Sequence, residues 1–243
     1  MLHCFMEVLQ RDAGIGFDPT EDAKLRAISA PGITICTQAP WAPQSLALCS
    51  YLHHDMDRMR TSRAIAFGDP DWRTEFAPKE LQFCGAMGLW WRSGETHARL
   101  SSVMDCTPPG TNWIAHTSMA SAMWTYLTTP FPLTMPGVEV SETQHRAEQG
   151  ETWRVLHARF PNSIATHSTE QDFYFDDSCL LKRHDYNVDV AGGFEAAQLV
   201  FDYIEADGIR LASKQRAYTR AADGTPNLND LMVPIDLTNA SFS

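Results

Sequence analysis

Several signatures are missing from this 243-residue chain, and each absence removes a class of function. No G-x-G-x-x-G, G-x-x-x-x-G-K-[ST], H-E-x-x-H or G-x-S-x-G occurs. That argues against dinucleotide oxidoreductases, P-loop enzymes, zincin proteases and the common serine hydrolases. Six cysteines stand at 4, 36, 49, 84, 106 and 179, with no C-x-x-C and no zinc-finger spacing among them. Positive charge is scarce: 19 Lys and Arg face 30 Asp and Glu, for a net charge of −11 and no dense basic run. Nucleic acid and an acidic membrane surface are therefore disfavoured as partners. No apolar stretch approaches the length needed to cross a bilayer, so no membrane span is expected.

The segment Met1-Leu2-His3-Cys4-Phe5-Met6-Glu7 has no basic n-region, and Glu7 interrupts any apolar run after it. On this reading the cysteines are buried free thiols in a reducing compartment, and a cytoplasmic location is expected. What the chain does have is apolar material. Hydrophobic residues make up 44%, with seven Trp and twelve Phe, enough to build a substantial core.

The expected organisation is a single domain over 1–243. Residues 1–30 read as a helical segment, 31–106 as a first strand set, 111–129 as a central helix and 138–243 as a second strand set. Pro31-Gly32 is expected to open the first strand at Ile33. Further strands follow at 46–54, 58–67, 72–76, 81–84 and 89–92. His116, Met119, Ala120, Met123, Trp124 and Leu127 recur at helical spacing, and Pro130 disfavours helical geometry in the residue before it.

Beyond residue 150 the period is two. Trp153, Val155 and His157 alternate with Arg154, Leu156 and Ala158; Phe173 and Phe175 alternate with Asp172, Tyr174 and Asp176. Leu180, Lys182, His184, Tyr186, Val188 and Val190 are expected to share a face, as are Leu231, Val233, Ile235 and Leu237. Asp207-Gly208 suits a type I′ turn, which pairs Ala206 with Ile209, Glu205 with Arg210 and Ile204 with Leu211. The expected fold class is mainly β (α+β): a curved antiparallel sheet or incomplete β-barrel wrapping one central helix.

The phrases Met123-Trp124-Thr125-Tyr126-Leu127-Thr128-Thr129-Pro130-Phe131, Glu151-Thr152-Trp153-Arg154, Ile164-Ala165-Thr166-His167-Ser168 and Phe173-Tyr174-Phe175-Asp176-Asp177 resemble a family of bacterial cytosolic proteins of uncharacterised function. The likeness continues through 180–193 and 232–237 and covers the second half of the chain. The strand pattern also looks like the half-barrel of bacterial lipoprotein carriers. That resemblance implies a bent sheet that wraps helices and shelters acyl chains.

Candidate chemistry is sparse. His184 and Tyr186 alternate onto one face and form an acid–base candidate, with Asp185 turned away from them. His116, on the apolar stripe of the central helix, is a third catalytic candidate against the plainer reading of a core histidine. Met119, Met123, Trp124 and Tyr126 of that helix, with Phe173 and His167, are the expected ligand-binding wall. His167, Glu170 and Asp172 offer a weaker carboxylate arrangement. His53-His54-Asp55-Met56-Asp57 suits a turn better than a metal site. No metal and no cofactor are expected.

Three functions compete. The first is binding of a hydrophobic small molecule, acyl or polyketide-like, in a β-sheet cavity. The second is a cofactor-independent cyclase or isomerase using the His184/Tyr186 pair. The third is an interaction protein pairing edge strands in a homodimer.

Overall fold

From residue 151 onward apolar and polar side chains alternate, and in the computed structural model each alternating run is an antiparallel strand. The structure describes residues 27–37, 46–55, 62–65, 73–77, 80–84, 90–94 and 122–242 apart from 149, 165, 167 and 189–192, with side-chain surroundings only from 122 to 241. The strands of the first set are β1 (Ala27–Thr37), β2 (Leu46–Asp55), β3 (Ser62–Ile65), β4 (Arg73–Ala77), β5 (Glu80–Cys84) and β6 (Trp90–Gly94). Those of the second are β7 (Glu139–Glu142), β8 (Arg146–Glu148), β9 (Glu151–Arg159), β10 (Glu170–Phe175), β11 (Leu181–Val188), β12 (Phe194–Ala206), β13 (Ile209–Arg220), β14 (Pro226–Leu237) and β15 (Ser241–Phe242).

They pair in the order β6-β5-β4-β3-β2-β1-β14-β13-β12-β11-β10-β9-β7, with β15 beside β1 and β8 beside β9. Strand β1 lies between β2 and β14, so the two strand sets belong to one open antiparallel sheet. The edge strand β7 is short and carries Glu139 and Glu142, charges that discourage edge-to-edge pairing.

Residues 27–30, expected to be helical, are the beginning of β1. The strand runs through Pro31-Gly32 instead of starting after it, and its pairing with β2 shifts register between Pro31 and Ile35. A bulge of this kind accommodates a proline, which has no N–H to give to a ladder. Residues 1–26 lie outside the described residues.

The turn at Asp207-Gly208 has positive φ at both residues, 50° and 80°. It sets the pairs Ala206–Ile209, Glu205–Arg210 and Ile204–Leu211, the register that the turn chemistry predicts. Two expected alternations are broken by register shifts. Between Tyr174 and Phe175 the partner changes from Arg183 to Leu181; Leu181 packs with Phe175, while Lys182 pairs with Glu151 at 3.6 Å. Between Ala217 and Tyr218 the partner changes from Val233 to Leu231, and Met232 rather than Leu231 joins the core.

Residues 122–128 are helical (α1). The helix ends at Thr128, where the hydroxyls of Thr128 and Thr129 each donate to the carbonyl four residues back, Trp124 and Thr125, at 2.6 Å. A 3-10 turn, Phe131–Thr134, follows. Residues 111–121 of the expected 111–129 helix lie outside the described residues, and Thr129 belongs to the turn that follows.

Helix α1 packs on one face of the sheet. Met123, Tyr126 and Leu127 meet Tyr186, Val188, Ala196, Ala217 and Ile235. Trp124 meets Leu156, Phe173, Phe175, Leu181 and Val200. One rung of paired residues crosses six strands on this face: Leu156–Phe173–His184–Gln198–Ala217–Val233.

The opposite face is buried around a guanidinium. Arg183 donates to both carboxylate oxygens of Asp185 at 2.6 and 2.8 Å, to Glu148 at 2.7 Å and to the Gly224 carbonyl at 2.5 Å. Its guanidinium carbon lies 5.2 Å from the Tyr174 ring centroid. Arg220 and the Tyr174 hydroxyl complete the shell of Asp185 at 2.9 and 3.0 Å. This network joins β8, β10, β11, β13 and the turn before β14.

Candidate functional site

Period-two alternation in β11 turns His184 and Tyr186 to the helix-covered face and sends Arg183 and Asp185 to the other, as the spacing predicts. The His184 ring stacks on Phe173 with centroids 4.3 Å apart and planes at 12°. It also meets Tyr126 edge-on at 5.9 Å and lies 4.8 Å from the Tyr186 ring. Its Nε2 is 2.7 Å from Oε1 of Gln171, whose amide nitrogen donates to the Ser168 carbonyl at 2.7 Å. That second bond orients the Gln171 amide, so His184 Nε2 carries the hydrogen it shares with Gln171.

The hydroxyls of Tyr126 on α1 and Tyr186 on β11 hydrogen-bond to each other. Burial pushes the Tyr126 hydroxyl well above its ordinary value, and the neighbouring Tyr186 adds to the effect. Burial likewise raises Tyr186, against a smaller opposing contribution from the bond with Tyr126. Both phenols are neutral at physiological pH and serve as hydrogen-bonding groups rather than anions.

Two glutamines complete a polar band across this apolar face. Gln198, between His184 and Ala217 on the common rung, is wholly buried (0% exposed). Among the described residues neither its amide nitrogen nor its oxygen has a hydrogen-bond partner. Gln215, on the same face of β13 two residues before Ala217, donates to the Ala212 carbonyl at 3.1 Å, while its Oε1 is unpartnered. Leaving such a group buried and unmade costs about 1–3 kcal/mol each, an expense that native interiors generally avoid.

Of the residues expected from sequence, the structure brings together His184, Tyr186, Tyr126 and Phe173. Met123 lies in the cluster with Tyr126 and Tyr186, and Trp124 in the one with Phe173. His116, Met119 and His167 lie outside the described residues. Asp172 bonds His157 at 2.7 Å, and Glu170 is exposed on a groove of about 440 Å³ beside Arg159. The side chains of His53, His54 and Asp55, at the end of β2, are outside the described set. Among the described residues no group of three His, Cys, Asp or Glu is arranged to hold a metal ion, and no helix is long and apolar enough to cross a membrane.

Gln171, Gln198 and Gln215 were not singled out by the sequence reading. The available signal was their phase: each falls at an inward position of an alternating strand, Gln198 between Ala196 and Val200, and Gln215 between Ser213 and Ala217.

No family model matches the chain, and no curated protein matches it. Solved structures do share its fold. A domain from Vibrio parahaemolyticus described as an outer membrane lipoprotein-sorting protein superposes with a TM-score of 0.54 at 10% identity, covering 98% of this chain and 92% of that one. A LolA superfamily protein from Nitrosomonas europaea gives 0.54 at 11% identity, over 98% and 92%. A DUF1329 family protein from Desulfovibrio piger gives 0.50 at 11% identity, over 99% and 92%.

The chain thus shares its fold with these structures, and the likeness extends over nearly the whole chain rather than its second half alone. The same finding corrects the expected cytoplasmic location. The missing basic n-region suggested it, but the fold is shared with a protein described by outer-membrane lipoprotein sorting, which points away from the cytoplasm. Family membership in a cytosolic group is likewise without support.

Proposed function

We propose that this protein binds and carries a hydrophobic small molecule of the acyl or polyketide-like class on the helix-covered face of its sheet. The observation that carries the reading is the breadth of that face. A rung crossing six strands, roofed by Met123, Trp124 and Leu127, gives a broad, largely apolar surface with a band of inward polar groups at its middle. Such a surface takes an alkyl chain in exchange for water at about 25 cal/mol per Å², and the sparse polar groups set orientation. The fold shared with a lipoprotein-sorting domain supports the same reading.

The test is native mass spectrometry of freshly purified protein, followed by titration of delipidated protein with a fluorescent fatty acid. A co-purifying mass of lipid size and saturable, competable binding are expected. Delipidated protein that takes up no probe, from a preparation that carried no ligand, overturns the reading.

The buried cluster around His184 gives a second reading its footing: a cofactor-independent cyclase or isomerase in which His184 moves a proton beside Tyr126 and Tyr186. It requires conversion of a bound ligand that His184→Ala abolishes while binding persists.

A further inference from the structure

Gln198 occupies the centre of the helix-covered face with its entire amide buried and neither end hydrogen-bonded to any of the described residues. Resting on the binding reading above, we infer that Gln198 is the polar anchor of the ligand site. Its complement is an alkyl chain ending in a neutral group that presents a hydrogen-bond donor and acceptor side by side, of which a carboxamide is the type.

The neighbours decide the chemistry. The other polar side chains on this part of the face are engaged with one another: His184 with Gln171, Gln171 with Ser168, and Tyr126 with Tyr186. They leave the Gln198 amide to a guest. A primary amide offers one carbonyl oxygen and one NH₂ in a plane, and a second amide or un-ionised carboxyl meets both at once.

An anionic headgroup is a poor match. Arg183, one residue from His184, faces away and is spent on Asp185 and Glu148. Arg216 is held by Asp236, and Arg220 by Asp185 and Glu195. Arg154, which shares the helix-covered face with Leu156 at its outer strand, is held by Glu142, and an unpaired buried charge is far costlier than a buried amide. The unpartnered Oε1 of Gln215, diagonal to Gln198 across the β12–β13 pair, adds an acceptor and favours a guest with N–H to give.

The experiment compares three ligands of equal chain length, a primary fatty amide, its methyl ester and the parent alkane, on wild-type protein and on Gln198→Met. Wild type should bind the amide at least tenfold more tightly than the ester, which can only accept. In Gln198→Met that preference should vanish. The ligand-free variant should melt no lower than wild type, because no hydrogen bond among the described residues is lost. Equal affinity of wild type for amide and ester, or a preference that survives Gln198→Met, overturns the anchor while leaving the binding reading standing. A ligand-free Gln198→Met protein that is destabilised also overturns it, by showing that Gln198 has a partner in the protein itself. If wild type binds none of the three ligands, the binding reading falls and the anchor with it.

Discussion

His184 donates its Nε2 hydrogen to Oε1 of Gln171 across 2.7 Å, joining the middle of β11 to β10 beneath helix α1. Both side chains are buried, at 1% and 2% exposure, so neither can turn to bulk water for a substitute. Gln171→Leu keeps the volume roughly constant and deletes the acceptor. It should cost about 1–3 kcal/mol, the usual penalty for a buried donor deprived of its partner. Urea midpoints of the variant and of Gln171→Glu, which retains an acceptor, measure it. An unchanged midpoint in Gln171→Leu would show that this bond contributes nothing.

On the opposite face the ion network makes a sharper demand. Burial pulls the Arg183 guanidinium down, but its bonds and charge interaction with Asp185, and the charge of Glu148, hold it above its ordinary value. Removing the cation by Arg183→Met leaves Asp185, 2% exposed, facing only Arg220 and Tyr174. Breaking a buried pair in this way costs about 3–5 kcal/mol. The double variant Arg183→Met/Asp185→Leu should be more stable than Arg183→Met alone, because it also removes a buried carboxylate left with one cationic partner instead of two. Equilibrium urea unfolding of the set decides the order.

Much of the strand layout was legible because alternation and turn chemistry are local. The hairpin at Asp207-Gly208 follows from two residues that tolerate positive φ, and its register from opposed charges at Glu205 and Arg210. The illegible parts depend on distant partners. Nothing local marks the shifts that turn Leu181 and Met232 into the core, since each is defined by a neighbouring strand. Alternation places Arg183 opposite His184, but only the folded chain brings Glu148 and Gly224 to it, 35 and 41 residues away in sequence. Gln198 and Gln215 read as ordinary polar positions until the pairing of β11, β12 and β13 puts them beneath a helix.

Four of the six tyrosines should resist alkaline titration. Burial raises Tyr126, Tyr174, Tyr186 and Tyr203 above the ordinary value of 10.0, with Asp185 adding to the effect at Tyr174 and Asp176 at Tyr203. The folded value of each exceeds the unfolded one, so the stability these groups contribute is complete below pH about 10 and is lost as pH rises through the folded values. Tyrosinate absorbance followed against pH should show these four ionising together with unfolding, while circular dichroism reports the same transition. Smooth titration of all six near pH 10 with the fold intact would contradict the burial assigned to them.

Gly208 sits at φ 80° in the two-residue turn that joins the longest strand pair, β12 and β13. A Cβ at that dihedral crowds the following carbonyl and costs an L-residue about 1–2 kcal/mol. Gly208→Ala should therefore lower stability by about that amount, whereas Gly208→Asn should lose less, because Asn visits the left-handed region more readily. The effect ought to be local first. Amide exchange at Ile204, Glu205, Arg210 and Leu211, the pairs nearest the turn, should accelerate in Gly208→Ala before the remainder of β12 and β13 responds. Uniform acceleration along both strands would mean that the turn does not set the register by itself and that the Glu205–Arg210 and Ile204–Leu211 pairs depend on the sheet beyond it.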